Sequence, residues 1–204
     1  MAPTRIRPLS MDDLILETGR LILRPLTTAD IDLTRALLTD PEVMRHVGDP
    51  TPKDQLAAKT RERTRRAAGG RIGVWAVTDR ATGEKLGTAI LLPLPVDQEK
   101  RAWSRMDERA YPDGEIEVGY LLRPPAWGRG IATEACGRLL RFAFEATALD
   151  EIVAVTDPDN IASQRVLMKA GLRSEGPRRA YDQTVAGFRI TRADWRAGPG
   201  KLTV

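Results

Sequence analysis

The sequence predicts one mixed α/β domain, with a mostly antiparallel central sheet of about six to seven strands flanked by about four helices. Three observations predict it. A chain of 204 residues, 42 % of them hydrophobic, is long enough for one full core and too short for two comfortable ones. Short β-rich runs alternate with longer stretches of helical periodicity. The segment from Glu115 to Ala135 packs a strand, a tight Gly-containing turn and a helix start together with no residues to spare.

Residues 1–16 carry Pro and Arg without periodicity and read as an N-terminal arm. The run Arg20-Leu-Ile-Leu-Arg-Pro-Leu26 reads as the first strand, and Thr28 as the N-cap of a helix carrying Ile31, Leu33, Leu37 and Leu38. Asp40-Pro41 ends that helix, because a residue before proline avoids the helical region. A second helix is expected over Pro52 to Ala68, closed by Gly69-Gly70. Ile72 to Thr78 and Lys85 to Leu92 flank the turn residues Asp79-Arg-Ala-Thr-Gly83 and read as an antiparallel hairpin. Pro93 to Gly114 is longer than a usual connection. Ile116 to Leu122 is the next strand, stopped by Pro124 and Pro125, and a helix follows from about Ile131 to Ala148. Ile152 to Val155 reads as a short buried strand, Asn160 to Gly171 as a helix with a Gly stop, and strands begin at Leu172 and Gly187.

Composition excludes several classes. No run reaches the ~20 apolar residues of a membrane helix, and the first residues lack the apolar centre of a signal peptide, so a cytoplasmic protein is expected. The lone Cys136 and lone His46 lack the clustered partners of a metal site, so no metal is expected. The net charge of +4 allows an anionic ligand without demanding nucleic acid. The basic run from Lys59 to Arg71, with Arg61, Arg63, Arg65 and Arg66, has no aromatic residue to stack on a base and reads as a solvated helix face.

The chemistry concentrates after the strand at Ile116. Gly128 and Gly130 supply backbone where a side chain would block a ligand, and the helix beginning near Ile131 offers unpaired amides at its positive end. This is an arrangement able to hold a pyrophosphate by backbone alone. A second segment, Asn160-Ile-Ala-Ser163 followed by Leu167, Lys169, Ala170, Gly171 and Leu172, follows the next strand.

Together, Glu117-Val-Gly-Tyr-Leu-Leu122, Trp127-Gly-Arg-Gly-Ile-Ala-Thr-Glu-Ala135 and Asn160 to Leu172 resemble the GNAT superfamily of acyl-CoA-dependent N-acyltransferases. Arg20 to Leu26, Asp40-Pro-Glu-Val-Met44 and Arg192-Ala-Asp-Trp195 resemble most its branch that acetylates ribosomal-protein N-termini. The likeness covers residues 17–196 as one GNAT-like domain and leaves 197–204 as a tail. Pro125 departs from the superfamily's usual Gln or Arg, Leu172 replaces its usual Phe, and the 93–114 stretch looks expanded.

The resemblance implies transfer of an acetyl group from acetyl-CoA to a primary amine, by direct attack in a ternary complex. It implies that the strand end at Leu121, Leu122 and Arg123 meets the pantetheine. Trp127, Gly128, Arg129, Gly130, Ile131, Ala132 and Thr133 would hold the pyrophosphate. Asn160 would bond the pantetheine arm, and Ser163 would be the general acid near the sulfur. Glu117 and Asp182 are alternative bases. An α-amine near pKa 8 costs only about 1 kcal/mol to deprotonate at pH 7, against about 4 to 5 for a lysine, so a protein N-terminus tolerates a weak base.

Each residue has a structural alternative: an ordinary turn for the two glycines, a helix cap for Asn160, a first-turn serine for Ser163, and a paired strand carboxylate for Glu117. A non-catalytic acyl-CoA sensor or structural partner is a second reading of the chain. An NAD-dependent oxidoreductase is a third, with Gly128-Arg-Gly130 as the fingerprint and Asp157 as its acid, but Thr133 stands at the third glycine. The acceptor is left open among protein N-termini and small-molecule amines, and a homodimer is plausible from an edge strand and apolar residues near the C-terminus.

Overall fold

The computed structural model describes residues 6–96 and 102–198. One eight-stranded sheet runs through it in the order β1-β2-β3-β4-β5-β6-β8-β7. The strands are β1 (Leu16–Glu17), β2 (Leu21–Pro25), β3 (Gly73–Asp79), β4 (Lys85–Pro93), β5 (Ile116–Leu122), β6 (Glu151–Thr156), β7 (Arg173–Ala180) and β8 (Gln183–Thr191). The helices are α1 (Ile31–Leu38), α2 (Pro41–Met44), α3 (Leu56–Arg63), α4 (Ile131–Ala146), α5 (Ile161–Lys169) and α6 (Arg192–Ala197). Every neighbouring pair of strands is antiparallel except β5 and β6.

The mixed, mostly antiparallel sheet is as expected, with eight strands rather than six to seven. The additional strand is β1, whose two residues pair with Ile22 and Leu23 and are too few to show a period. Helices number six among the described residues instead of four. Asp40-Pro41 stops one helix and starts another, because the Asp40 carboxylate accepts the amides of Glu42 and Val43. Thr191 caps α6 in the same way through the amide of Asp194. The helix expected over Pro52 to Ala68 is shorter, because Ala68 adopts a φ of 52° and Ala67 bridges to Ile72.

Register assigns the two faces. Trp75 is opposite Ala89, which is opposite Tyr120, and this row meets α4 through Trp75 and Phe142, whose ring centres lie 5.6 Å apart. Tyr120 reaches Ser163 on α5, so α5 shares that face. The other face carries the row Thr88, Ile90, Leu92 against Leu121, Gly119, Glu117, and α3 lies over it through Arg63, which donates to Thr88. A large core sits on these layers, and a smaller cluster of Leu94, Val153, Ala180 and Val185 extends the Glu117 face.

The basic run is only partly a solvated face. Arg61 and Arg65 are exposed, but Arg66 turns inward, donating to the carbonyls of Gly70 and Val74 and stacking 4.1 Å from the centre of the Trp75 ring. Of the long 93–114 segment, residues 97–101 lie outside the described residues. Its later part docks on the turn after α3, where the Ala68 amide reaches the carbonyls of Asp107 and Ala110. Among the described residues no helix is long and apolar enough to cross a membrane.

Candidate active site

The centre of the sheet is where its two halves separate. β5 and β6 run parallel and share a single register pair, Glu117 with Val153. Beyond it β5 continues to pair with β4 as far as Leu122, while β6 pairs with β8. Gly119, Tyr120 and Leu121 are consequently half-buried in the middle of an eight-stranded sheet, while Glu117 and Val118 before them and Leu122 after them are buried.

The chain leaves β5 through Arg123 and a turn of 3₁₀-helix at Pro124–Ala126. The Trp127 indole N–H donates to the Leu122 carbonyl at 2.8 Å, which fixes the ring at the strand end while leaving it exposed. Gly128 has φ 69° and Gly130 has φ 76°, conformations that side chains resist. Gly130 is the N-cap of α4 and no side chain caps that helix. The first amide bonded inward is that of Glu134, to the Gly130 carbonyl, so the amides of Ile131, Ala132 and Thr133 point out of the helix end. A Cβ at Gly128 would meet nothing within 4 Å, so the approach is open. The loop is held from behind: Arg20 donates to the Arg129 carbonyl at 3.0 Å and pairs with Glu134 at 2.6 Å, and Thr18 adds a bond to Glu134 at 2.6 Å. A cleft of about 430 Å³ beside it is lined by Arg20, Arg80, Arg129 and Asp79 among others. The Arg123 guanidinium turns away from this loop, to the Lys85 carbonyl and Glu84.

On the α5 side, Asn160 caps the helix by accepting the Ser163 amide at 3.0 Å. The Ser163 hydroxyl lies 3.0 Å from the Tyr120 hydroxyl, which also donates to the Ser163 carbonyl at 3.2 Å. Burial holds the Tyr120 phenol well above its ordinary pKa, so it stays protonated.

Glu117 lies on the opposite face and is 4 % exposed. Burial raises its pKa from 4.5 to about 7, and the hydrogen bond from the Tyr181 hydroxyl and the charge of Arg178 only partly offset that. Tyr181 and Asp182 form the turn between β7 and β8 with φ 54° and 59°, the left-handed geometry of a two-residue hairpin. Their amides donate to the carbonyls of Pro95 and Val96, which holds the strained turn in place. Asp182 is exposed, with Arg179 at 3.8 Å. Neighbouring Glu115 is a different kind of carboxylate: Arg178 and Arg189 pair with it and hold its pKa low despite burial.

Of the residues singled out by sequence, the structure groups Gly128 to Thr133 with Trp127, joins Ser163 to Asn160, and puts Glu117 at the parting of the strands. Sequence reasoning missed Tyr120 and the reach of Tyr181 to Glu117. It also missed the brace from Arg20 to Glu134 and the 2.8 Å contact of His46 with Asp157. Asp157, the acid of the dinucleotide alternative, is thus engaged by His46, which lowers its pKa. Cys136 is fully buried with its thiol pushed up to about 12 and belongs to the core. No group of three or more potential metal ligands converges among the described residues.

Comparison with known proteins gives this site a family. The model of the acetyltransferase (GNAT) domain matches residues 20–173. The uncharacterized N-acetyltransferase YoaA of Bacillus subtilis is 32 % identical over 169 residues, covering 82 % of this chain and 87 % of its own. The FsC-acetyl coenzyme A-N(2)-transacetylase of Aspergillus fumigatus is 30 % identical over 88 % of this chain and 77 % of its own. The solved acetyltransferase of Agrobacterium tumefaciens superposes with a TM-score of 0.68 at 25 % identity, over 86 % of this chain and 93 % of that one. The aminoglycoside acetyltransferase AAC(6')-Ib, solved with coenzyme A, shares the fold at a TM-score of 0.65 and 18 % identity, over 87 % and 98 % of the two chains. The domain match and the 32 % identity over most of both chains agree with the parted strands and the uncapped helix, and this chain belongs to the GNAT acetyltransferase family, whose members move an acetyl group from acetyl-CoA to an amine.

Proposed function

We propose that this chain acetylates a primary amine with Glu117 as general base and Ser163, backed by Tyr120, as the proton donor to the departing sulfur. Acetyl-CoA supplies an activated acetyl thioester. The residues present fit it: the amides of Ile131 to Thr133 and the open backbone at Gly128 suit a pyrophosphate, and the unpaired stretch of β5 after Glu117 suits an amide-rich arm.

The observation that carries the reading is the buried Glu117 carboxyl, with a pKa of about 7, on the central strand where the sheet parts. A base poised there is half ionised near neutrality and takes a proton from an ammonium directly or through one water. Tyr181 orients the carboxyl, as a positioning residue. The same observation favours Glu117 over Asp182, which sits exposed beside Arg179. Ser163 and Tyr120, 3.0 Å apart, form a short chain along which a proton moves to the thiolate. The acceptor class within this reading includes protein N-termini, of ribosomal proteins among others, and small-molecule amines. Relatives named for an N(2)-transacetylation and for aminoglycosides support a small-molecule amine equally well.

The test is thiol release from acetyl-CoA against a panel of N-terminal peptides, aminoglycosides, polyamines and amino acids, with Glu117→Gln alongside. The substitution is expected to lower kcat/KM at least tenfold and to flatten the limb near pH 7. An unchanged pH profile would move the base to Asp182. Acetyl-CoA binding with no turnover of any amine would favour the sensor reading instead.

A further inference from the structure

Arg63, the last residue of α3, has no role in the chemistry above. Its guanidinium Nη2 donates to the Thr88 hydroxyl at 3.1 Å, on a residue only 1 % exposed in the centre of the sheet. Its remaining N–H groups have no acceptor among the described residues. The neighbouring acid in sequence, Glu62, is turned to Lys59 at 3.4 Å. Other arginines over this face are matched: Arg24 by Asp30 at 2.7 Å, Arg189 by Glu115 at 2.8 Å, and Arg178 also by Glu115. Arg63 alone among these is a half-buried guanidinium without a carboxylate, and desolvation brings its pKa down to about 10. Removing a cation from water without a counter-charge is costly, which makes an anionic ligand the natural complement.

Its position says where that ligand's other end lies. Thr88 is directly opposite Leu121, and Leu121 shares its face with Gly119 and Glu117. From Leu121 to Glu117 the strand takes four residue steps, about 13 Å at the rise of a strand. Gly119, midway, contributes no side chain, and only the flexible end of Ile90 lies over it, 3.1 Å from where a Cβ would stand, while Gly119 and Leu121 are both half-buried. We infer that Arg63 docks a carboxylate on the acceptor, so that the substrate is an amine bearing a carboxylate several bonds away, held with its nitrogen toward Glu117. A guanidinium suits this task because its paired N–H groups match both oxygens of a carboxylate.

The inference rests on the transferase reading, and two measurements separate their failures. The first compares acetylation of 6-aminohexanoate with 6-aminohexanamide, and of 5-aminopentanoate with 5-aminopentanamide, by the wild type, Arg63→Lys and Arg63→Gln. 6-Aminohexyl phosphate, of matching length, distinguishes a phosphate from a carboxylate preference. The expected result is a KM at least tenfold lower for the carboxylates than for the amides in the wild type. That ratio is lost in Arg63→Gln and partly kept in Arg63→Lys. Equal KM values in the wild type, a ratio that survives Arg63→Gln, or a preference for the phosphate alone overturns the inference. The second measurement is calorimetric titration with hexanoate and hexanamide, neither of which can be acetylated. Binding of hexanoate alone, abolished in a folded Arg63→Gln protein, supports the anion site even if every amine fails to turn over; no hexanoate binding overturns it.

Discussion

Tyr181→Phe isolates the one hydrogen bond that keeps Glu117 usable. The substitution removes only the hydroxyl that donates to the Glu117 carboxyl, and the ring keeps its place in the turn held by Pro95 and Val96. A hydrogen bond to a charged group contributes about 1.5–3 kcal/mol, and 1.36 kcal/mol is one pKa unit, so the Glu117 pKa should rise from about 7 to roughly 8 to 9. At pH 7 the ionised fraction then falls from about one half to roughly 1–10 %, and kcat/KM falls about 5- to 50-fold. At high pH the rate recovers toward the wild-type plateau, because the base itself is intact. The assay is initial thiol release across pH 6 to 9.5 with one acceptor, read as the ratio of wild type to variant so that titration of the amine cancels. A uniformly lower profile with an unmoved limb would refute the reasoning and reduce Tyr181 to a packing residue.

The same carboxyl makes a stability prediction. Its folded pKa of about 7 lies above the unfolded 4.5, so the folded state binds the extra proton between those values and stability falls as pH rises through that window, by about 3 kcal/mol in all. Glu117→Gln should therefore stabilise the protein at pH 8 and change little at pH 4, as read by urea unfolding; equal effects at both pH values would contradict the burial of the charge. Tyr120→Phe should lower kcat several-fold with little change in the KM for acetyl-CoA, and a purely raised KM would assign Tyr120 to binding. Gly130→Ala places a side chain at φ 76°, which costs about 1–2 kcal/mol, and should both lower the Tm and weaken acetyl-CoA binding in calorimetry. A Tm loss with unchanged affinity would show that the loop geometry serves the fold alone.

Much of this site was legible because it is local. Gly128 and Gly130 mark a turn that only their backbone freedom permits, and Ile131 opens a helix whose apolar period runs on through Leu139, Leu140 and Phe144. Asn160 three residues before Ser163 is a capping spacing, and the bond is present. What sequence hid are contacts set by the sheet. Tyr120 read as a strand-former, and only the packing of α5 on its face brings it to Ser163. Tyr181 lies 64 residues from Glu117, and only the β7–β8 hairpin brings the two together. Arg63 read as one of several surface cations because helical spacing does not say which side of α3 is covered. Asp40-Pro41 was understood as a stop, although a capping aspartate before proline is equally a start. The brace between Arg20 and Glu134 gives a physical reason for two distant motifs to occur in one chain.

The single register pair between β5 and β6 also bears on how the molecule behaves among its own copies. A strand with unpaired N–H and C=O groups is normally a hazard at the rim of a sheet, where another chain can add itself. Here the exposed backbone rungs are internal. They lie between two strand ladders, with α4 and α5 packed on one face and α3 over part of the other. A slender extended molecule can enter such a slot, while a second sheet cannot come alongside, so the fold carries an open edge at its centre without inviting aggregation there.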